Sequence, residues 1–289
     1  MSLLARAVTY GRFVRFSHTV FALPFALMGA VLAAGGIPDL RTLLLLLLAM
    51  VGARSAAMAM NRLADAAIDA ANPRTKGREL PSGAMSRAEA IVFLAVAAGL
   101  FLLACGLLSR LALLLAPAVL LVLLSYPFAK RFTSLCHLWL GAALGLAPVG
   151  AWVAVRGEFG EGVLAPVLLG AAVTLWTAGF DVIYALLDVD FDRKKGLFSL
   201  PSRLGPGPAL ALSGLFHAFS VVCLALAALP GGLGAIWFCG VGAAAVLLLV
   251  EHRIVRPGDL SRVNTAFFTL NGIVSALLFG VLLLDVLAA

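Results

Sequence analysis

Charge is what this sequence has least of. Of its 289 residues only 12% are Asp, Glu, Lys or Arg, against about 25% in soluble domains. Apolar residues make up 63%, and the mean hydropathy is +1.08. A water-soluble fold of this length cannot hide that much apolar surface, so the solvent is lipid. Cysteine is also scarce. Cys105, Cys136, Cys223 and Cys239 lie in or beside apolar runs without metal-ligand spacing, which reads as small packing residues. His18, His137, His217 and His252 share no spacing either. They read as polar residues at helix ends or between helices, with no haem or zinc role expected. Acidic residues number 14 against 21 Lys and Arg, giving a net charge of +7. In a soluble protein that excess would suggest nucleic acid. Here it is explained by basic residues flanking membrane spans, and no nucleic-acid partner is expected.

What the chain does have is long apolar runs. A spanning helix needs roughly 20 apolar residues, and nine stretches qualify, at about 16–35, 41–69, 87–108, 111–129, 134–155, 163–187, 208–229, 233–251 and 264–287. Gly and Pro clusters such as Gly35-Gly36-Ile37-Pro38, Asn72-Pro73 and Pro230-Gly231-Gly232 separate them. The first run, preceded by Arg6, Arg12 and Arg15, has the outline of a signal peptide. Ser17, His18 and Pro24 within it, and the many spans that follow, mark it as an uncleaved first span instead. The expectation is an all-α polytopic membrane protein, a single domain over 1–289. Sixteen of the 21 Lys and Arg residues fall on the side of the amino terminus and the loops after spans two, four, six and eight. The positive-inside rule places that side in the cytoplasm.

The few acidic residues are clustered. Arg54, Asn61, Asp65 and Asp69 near the end of span two are spaced 7, 4 and 4, which is one face of a helix. Asp181, Tyr184, Asp188 and Asp192 near the end of span six are spaced 3, 4 and 4, one face if the helix continues; Asp190 points elsewhere. Intramembrane carboxylates are costly, about 2.5–3.5 kcal/mol each at a helix centre, and clustering adds repulsion unless a cation sits between them. Carboxylate and amide oxygens are hard ligands suited to Mg²⁺, which binds through one or two carboxylates together with substrate phosphates. Lys76, Arg78, Lys130, Arg131, Lys194 and Lys195 stand beside the acids, so a diphosphate bridged through Mg²⁺ accounts for both signs of charge. The stripes near 41–87 and 163–205 read as two pseudo-repeated acidic halves facing one cavity. Solvated helix ends with snorkelling charges would explain either stripe alone, less readily both.

Asn61-Arg62-Leu-Ala-Asp65-Ala-Ala-Ile-Asp69 resembles the first aspartate motif, Asn-Asp-x-x-Asp-x-x-x-Asp, of the UbiA superfamily of intramembrane aromatic prenyltransferases, and Asp181 to Asp192 resembles its second. Arg78-Glu79-Leu80-Pro81-Ser82-Gly83 is similar to the Arg-Pro-Leu-Pro-Ser-Gly loop that follows the first motif, and Tyr126-Pro-Phe-Ala-Lys130 to the Tyr-x-x-x-Lys element after span four. Two positions depart from the pattern: Arg62 replaces the second residue of the Asn-Asp pair, and Glu79 replaces a proline. The resemblance runs over essentially the whole chain and is closest to the 4-hydroxybenzoate polyprenyltransferases.

The resemblance implies nine helices around a central lipid-open cavity in a bacterial-type inner membrane. It implies transfer of a polyprenyl group from its diphosphate to a ring carbon of a hydroxylated aromatic acid in quinone biosynthesis. Mg²⁺ would be held by Asn61, Asp65 and Asp69 and by Asp181, Asp188 and Asp192. Arg78, Tyr126, Lys130 and Lys194 would bind diphosphate, with Asp65, Asp188, Lys130 and Tyr126 central to catalysis. Arg54, Arg131 and Tyr184 would meet the aromatic acceptor. A dihydroxynaphthoate acceptor for menaquinone stays open, as does an ion-coupled transporter, which shares buried charges and pseudo-repeats.

Overall fold

A computed structural model describes residues 9–14 and 19–289. Arg6, Arg15, Phe16, Ser17 and His18, which entered the reading of the first span, lie outside the described residues. Helices account for nearly the whole described chain: α1 (Thr19–Ala34), α2 (Leu40–Ala71), α3 (Arg87–Leu108), α4 (Arg110–Ala129), α5 (Cys136–Arg156), α6 (Leu164–Ala185), α7 (Val189–Lys195), α8 (Leu200–Leu204), α9 (Pro206–Gly231), α10 (Ala235–Ile254) and α11 (Asn271–Ala288). A 3₁₀ turn, Leu186–Asp188, joins α6 to α7, and a π-turn, Thr265–Leu270, leads into α11. Among the described residues, eight helical segments are long and apolar enough to cross a membrane. This is an all-α polytopic membrane protein. α1 is shorter, 16 residues with Pro24 inside.

Local chemistry sets the helix ends. The Asp39 carboxylate accepts from the Thr42 amide at 3.1 Å and the Thr42 hydroxyl at 2.6 Å, capping α2. Ser86 and Glu89 form a reciprocal capping box that starts α3. Gly157, with φ of 73°, ends α5 in the left-handed conformation that glycine adopts without strain.

The bundle has two lobes. One joins α2 to α5 through a small-residue core including Ala49, Ala56, Ala97, Ala104 and Ala116. The other joins α6, α9, α10 and α11 through Leu169, Trp176, Phe180, Trp237 and Leu278. α5 and α6 pack closely across the junction, and α1 fills the seam, leaning on α5 and α11. The junction is where the two acidic stripes meet.

Candidate active site

α2 is long enough to carry both an apolar and a polar segment on one face. Leu40, Leu44, Leu47 and Val51 are exposed on its first half. Continuing the same helical face inward come Arg54, Met58, Asn61, Asp65 and Asp69, which line a cavity of about 280 Å³. Tyr126 and Lys130 reach the cavity from the end of α4, and Thr177, Phe180, Asp181 and Tyr184 from α6. Asp188, Phe191 and Asp192 complete the wall. The second stripe is not one continuous helix as its spacing suggested. α6 ends at Ala185, and the tighter 3₁₀ turn redirects the chain at Asp188. Asp181, Tyr184, Asp188 and Asp192 face the cavity nonetheless.

Each carboxylate is met by its own partner. Asp65, 2% exposed, accepts from Lys130 Nζ at 2.5 Å, and Arg131 Nη2 stands 3.9 Å away. Both oxygens of Asp69 accept from Arg78 Nη1, at 2.7 and 2.8 Å. Asp188 is held by Arg74, and the Asn72 amide donates to its Oδ1 at 3.0 Å. Arg74 also donates to the Tyr184 hydroxyl at 2.9 Å. Asp181 pairs with His137 Nδ1 at 2.7 Å, and Asp192 accepts from the Ser199 hydroxyl at 2.9 Å. Such pairing offsets the cost of carboxylates at this depth.

Arg54 also lines the cavity. Arg131 is turned toward the Ala64 carbonyl and the Phe128 ring instead. Lys194 is exposed on α7, away from the lining. Asn72, Arg74, Thr75 and His137 belong to the site region and were not singled out from the sequence. Arg74 had a signal, since it stands five residues beyond Asp69 in the basic loop. Of the histidines, His137 bridges Asp181 and the Leu200 amide, and His217 contacts His252 at 3.0 Å; His18 lies outside the described residues.

The donor set suits a hard cation. Asn61, Asp65 and Asp69 offer oxygen ligands on one wall, and buried Asp65 Oδ1 has no hydrogen-bond partner. Among the described residues no three His, Cys, Asp or Glu side chains group closely enough to hold an ion by themselves. Mg²⁺ commonly completes its shell with substrate phosphates and water, and Arg74, Arg78 and Lys130 line the same cavity as these oxygen ligands.

Fold and site together define a multi-pass membrane protein with acidic and basic groups paired around one cavity at an end of the bundle. A family model described as the UbiA prenyltransferase family matches residues 22–273. A 4-hydroxybenzoate octaprenyltransferase of Alkalilimnicola ehrlichii is 32% identical over 287 residues, covering 96% of this chain and 94% of the relative. The apo structure of a UbiA homologue from Aeropyrum pernix K1 superposes with a TM-score of 0.84 at 40% identity, covering 93% of this chain and 98% of that one. A UbiA homologue from Archaeoglobus fulgidus bound to GPP and Mg²⁺ shares the fold, with a TM-score of 0.74 at 21% identity, over 97% of this chain and all of that one. The chain belongs to the UbiA prenyltransferase family, which sets the transporter reading aside.

Proposed function

We propose that this protein is a Mg²⁺-dependent aromatic polyprenyltransferase that moves a polyprenyl group from its diphosphate to a ring carbon of 4-hydroxybenzoate. The observation that carries this reading is the meeting of two acidic stripes and three loop cations, Arg74, Arg78 and Lys130, around one cavity with an aromatic wall. The 4-hydroxybenzoate octaprenyltransferase relatives support the acceptor.

Bound Mg²⁺ would neutralise the negative charge that develops on the departing diphosphate. Asn61, Asp65 and Asp69 are assigned to one ion, Asp181 and Asp188 to a second, with Asp192 as a further ligand or support. Arg74, Arg78 and Lys130 exchange their carboxylate partners for phosphate oxygens, and Tyr126 donates a further hydrogen bond. Lys194, at the aqueous rim, attracts the anion. Arg54 and Arg131 are assigned to the carboxylate of the acceptor, and Tyr184 to its ring. Phe21, Phe180 and Phe267 wall the chamber in which the allylic cation is kept from water.

The architecture proposed is nine spans, α1 being the first, with the two acidic halves as one domain. The cavity opens to lipid along α2, whose exposed Leu44, Leu47 and Val51 continue the cavity face into the membrane. The site and amino terminus face the cytoplasm of a bacterial-type inner membrane.

The test is direct. Purified protein is incubated with polyprenyl diphosphates and a panel of aromatic acids including 4-hydroxybenzoate and a dihydroxynaphthoate, and products are identified by mass. Prenylated 4-hydroxybenzoate is expected, abolished by EDTA and reduced about 10²-fold or more in Asp65→Ala or Asp188→Ala. Full activity in either variant, or indifference to EDTA, overturns the mechanism; preference for the dihydroxynaphthoate reassigns the acceptor.

A further inference from the structure

A second set of polar side chains is buried among α6, α10 and α11, apart from the acids of the cavity. Asn271, fully buried at the start of α11, is its centre. Its Oδ1 accepts from Trp176 Nε1 at 2.6 Å, and its Nδ2 donates to Glu251 Oε1 at 3.0 Å and to the Ala266 carbonyl at 3.0 Å. Glu251 is likewise fully buried. Three helices are thus tied to one amide group, and the Ala266 carbonyl belongs to the π-turn Thr265–Leu270.

That turn determines which way Phe267 points. A π-turn takes up more residues per turn than an α-turn, and each α-helical residue corresponds to about 100° of rotation. Relaxation of the turn to α geometry would swing Phe267 by about that angle relative to α11. As folded, the ring lines the cavity, with its centroid 4.3 Å from Tyr184 and edge-on to Phe180 at 5.2 Å and Phe21 at 5.6 Å. Tyr184 in turn accepts from Arg74, which holds Asp188. Phe267 therefore sits where the charged mouth gives way to the apolar chamber.

We propose that Asn271 is a positioning residue for prenyl transfer: it fixes the π-turn that sets Phe267 in the cavity wall, and Phe267 shields the allylic cation from water. This rests on the function proposed above. In that reaction the allylic C–O bond breaks and its electron pair leaves with diphosphate. The cation then takes an electron pair from the aromatic ring, which loses its proton to give prenylated acid, or from water, which loses a proton to give the prenyl alcohol. The ratio of alcohol to prenylated acid reports how well the wall is closed, independently of the overall rate.

The experiment measures both products, diphosphate release and hydrogen exchange of amides 265–270 for wild type, Asn271→Ala, Asn271→Asp, Phe267→Ala and the Asn271→Ala/Phe267→Ala pair. Asn271→Asp keeps the size and the acceptor for Trp176 while removing the donor, so it serves if the alanine variant folds poorly. Trp237→Phe, which loses a buried bond to the Leu224 carbonyl, is the control for stability loss alone. Each single variant at 271 or 267 is expected to raise the alcohol fraction at least fivefold, with Trp237→Phe leaving it unchanged. The double variant should match Phe267→Ala within about twofold, because the two residues act through one ring. Faster exchange across the π-turn is expected only in the Asn271 variants. Wild-type product ratios throughout, or multiplying effects in the double variant, overturn the proposal. Unaltered exchange in Asn271→Ala overturns the positioning claim on its own, whereas absence of diphosphate release from wild type overturns the functional reading.

Discussion

At the residue scale, charge pairing separates stability from catalysis. Asp65 is almost wholly buried while its partner Lys130 keeps about a third of its side chain exposed. Lys130→Met leaves the buried Asp65 carboxylate with only the Asn61 amide at 3.3 Å and Arg131 at 3.9 Å. Because water reaches one partner of the lost pair, the cost should be about 1–3 kcal/mol, below that of a fully buried pair. Adding Asp65→Asn removes the under-compensated charge. The double variant is therefore expected to recover most of the loss in thermal unfolding in detergent while remaining inactive. If the double variant unfolds no later than Lys130→Met, the pair is not what stabilises this end of α2. Arg62 gives a complementary test. It stands where the family motif carries an acid, yet its Nε donates to the Phe13 carbonyl at 3.3 Å and its side chain is buried. Arg62→Ala should lower the unfolding temperature and leave the Mg²⁺ dependence of activity unchanged; a shifted Mg²⁺ requirement would place Arg62 in the metal site. The acids were legible in the sequence because a carboxylate in an apolar run has few structural uses. Arg74 and His137 were less so, since a basic loop residue and a helix-end histidine have many. The phenylalanines of the wall were not legible at all: a Phe facing lipid and a Phe facing a cavity look the same in a span.

At the element scale, the site depends on how closely α5 approaches α6. A Cβ added at Gly141 would lie 2.2 Å from the Thr174 carbonyl oxygen, and one at Gly145 2.5 Å from the Gly170 carbonyl oxygen. Both obstacles include backbone, so the helices rather than a flexible side chain must move. The helices carry His137 and Asp181, whose 2.7 Å contact spans the same seam. A displacement of about 1 Å is enough to cost roughly 10² in rate at a positioned site. Gly141→Ala is thus expected to reduce product formation by 10-fold or more, with a lowered unfolding temperature. Gly99→Ala on α3, where nothing lies within 4 Å, should be neutral or slightly stabilising, because alanine favours helix over glycine. Equal activities in the two variants would show that the seam tolerates separation. The long apolar helices were readable to within a few residues from apolar runs and Gly-Pro punctuation, whereas the short α7 and α8 were not. The 3₁₀ break at Leu186–Asp188 and the π-turn at Thr265–Leu270 were not, because both are set by packing and side-chain anchoring between helices distant in sequence.

At the scale of the whole molecule, the distribution of charge gives the bundle a direction. The loops bearing Arg74, Lys76 and Arg78, Lys130 and Arg131, and Arg193 to Lys195 share one end with the site, while Arg41, Arg110 and Arg156 mark the other. The polyprenyl diphosphate proposed as substrate would add its own constraint: its tail partitions into lipid but its charged head does not cross, so the mouth would have to open on the side from which that head is supplied. The charge bias is what supports the cytoplasmic mouth proposed above. In a background lacking the four native cysteines, Lys76→Cys and Glu161→Cys place exposed thiols at opposite ends of the bundle. A membrane-impermeant maleimide should label Glu161→Cys in intact spheroplasts and Lys76→Cys only after the membrane is opened. The reverse pattern would put sixteen basic residues and the diphosphate site outside together, and would require the substrate to be delivered from that side. Labelling of both positions in intact cells would mean that the orientation is mixed. Charge bias, positioned here by the same loops that close the active site, would then be too weak to fix the topology.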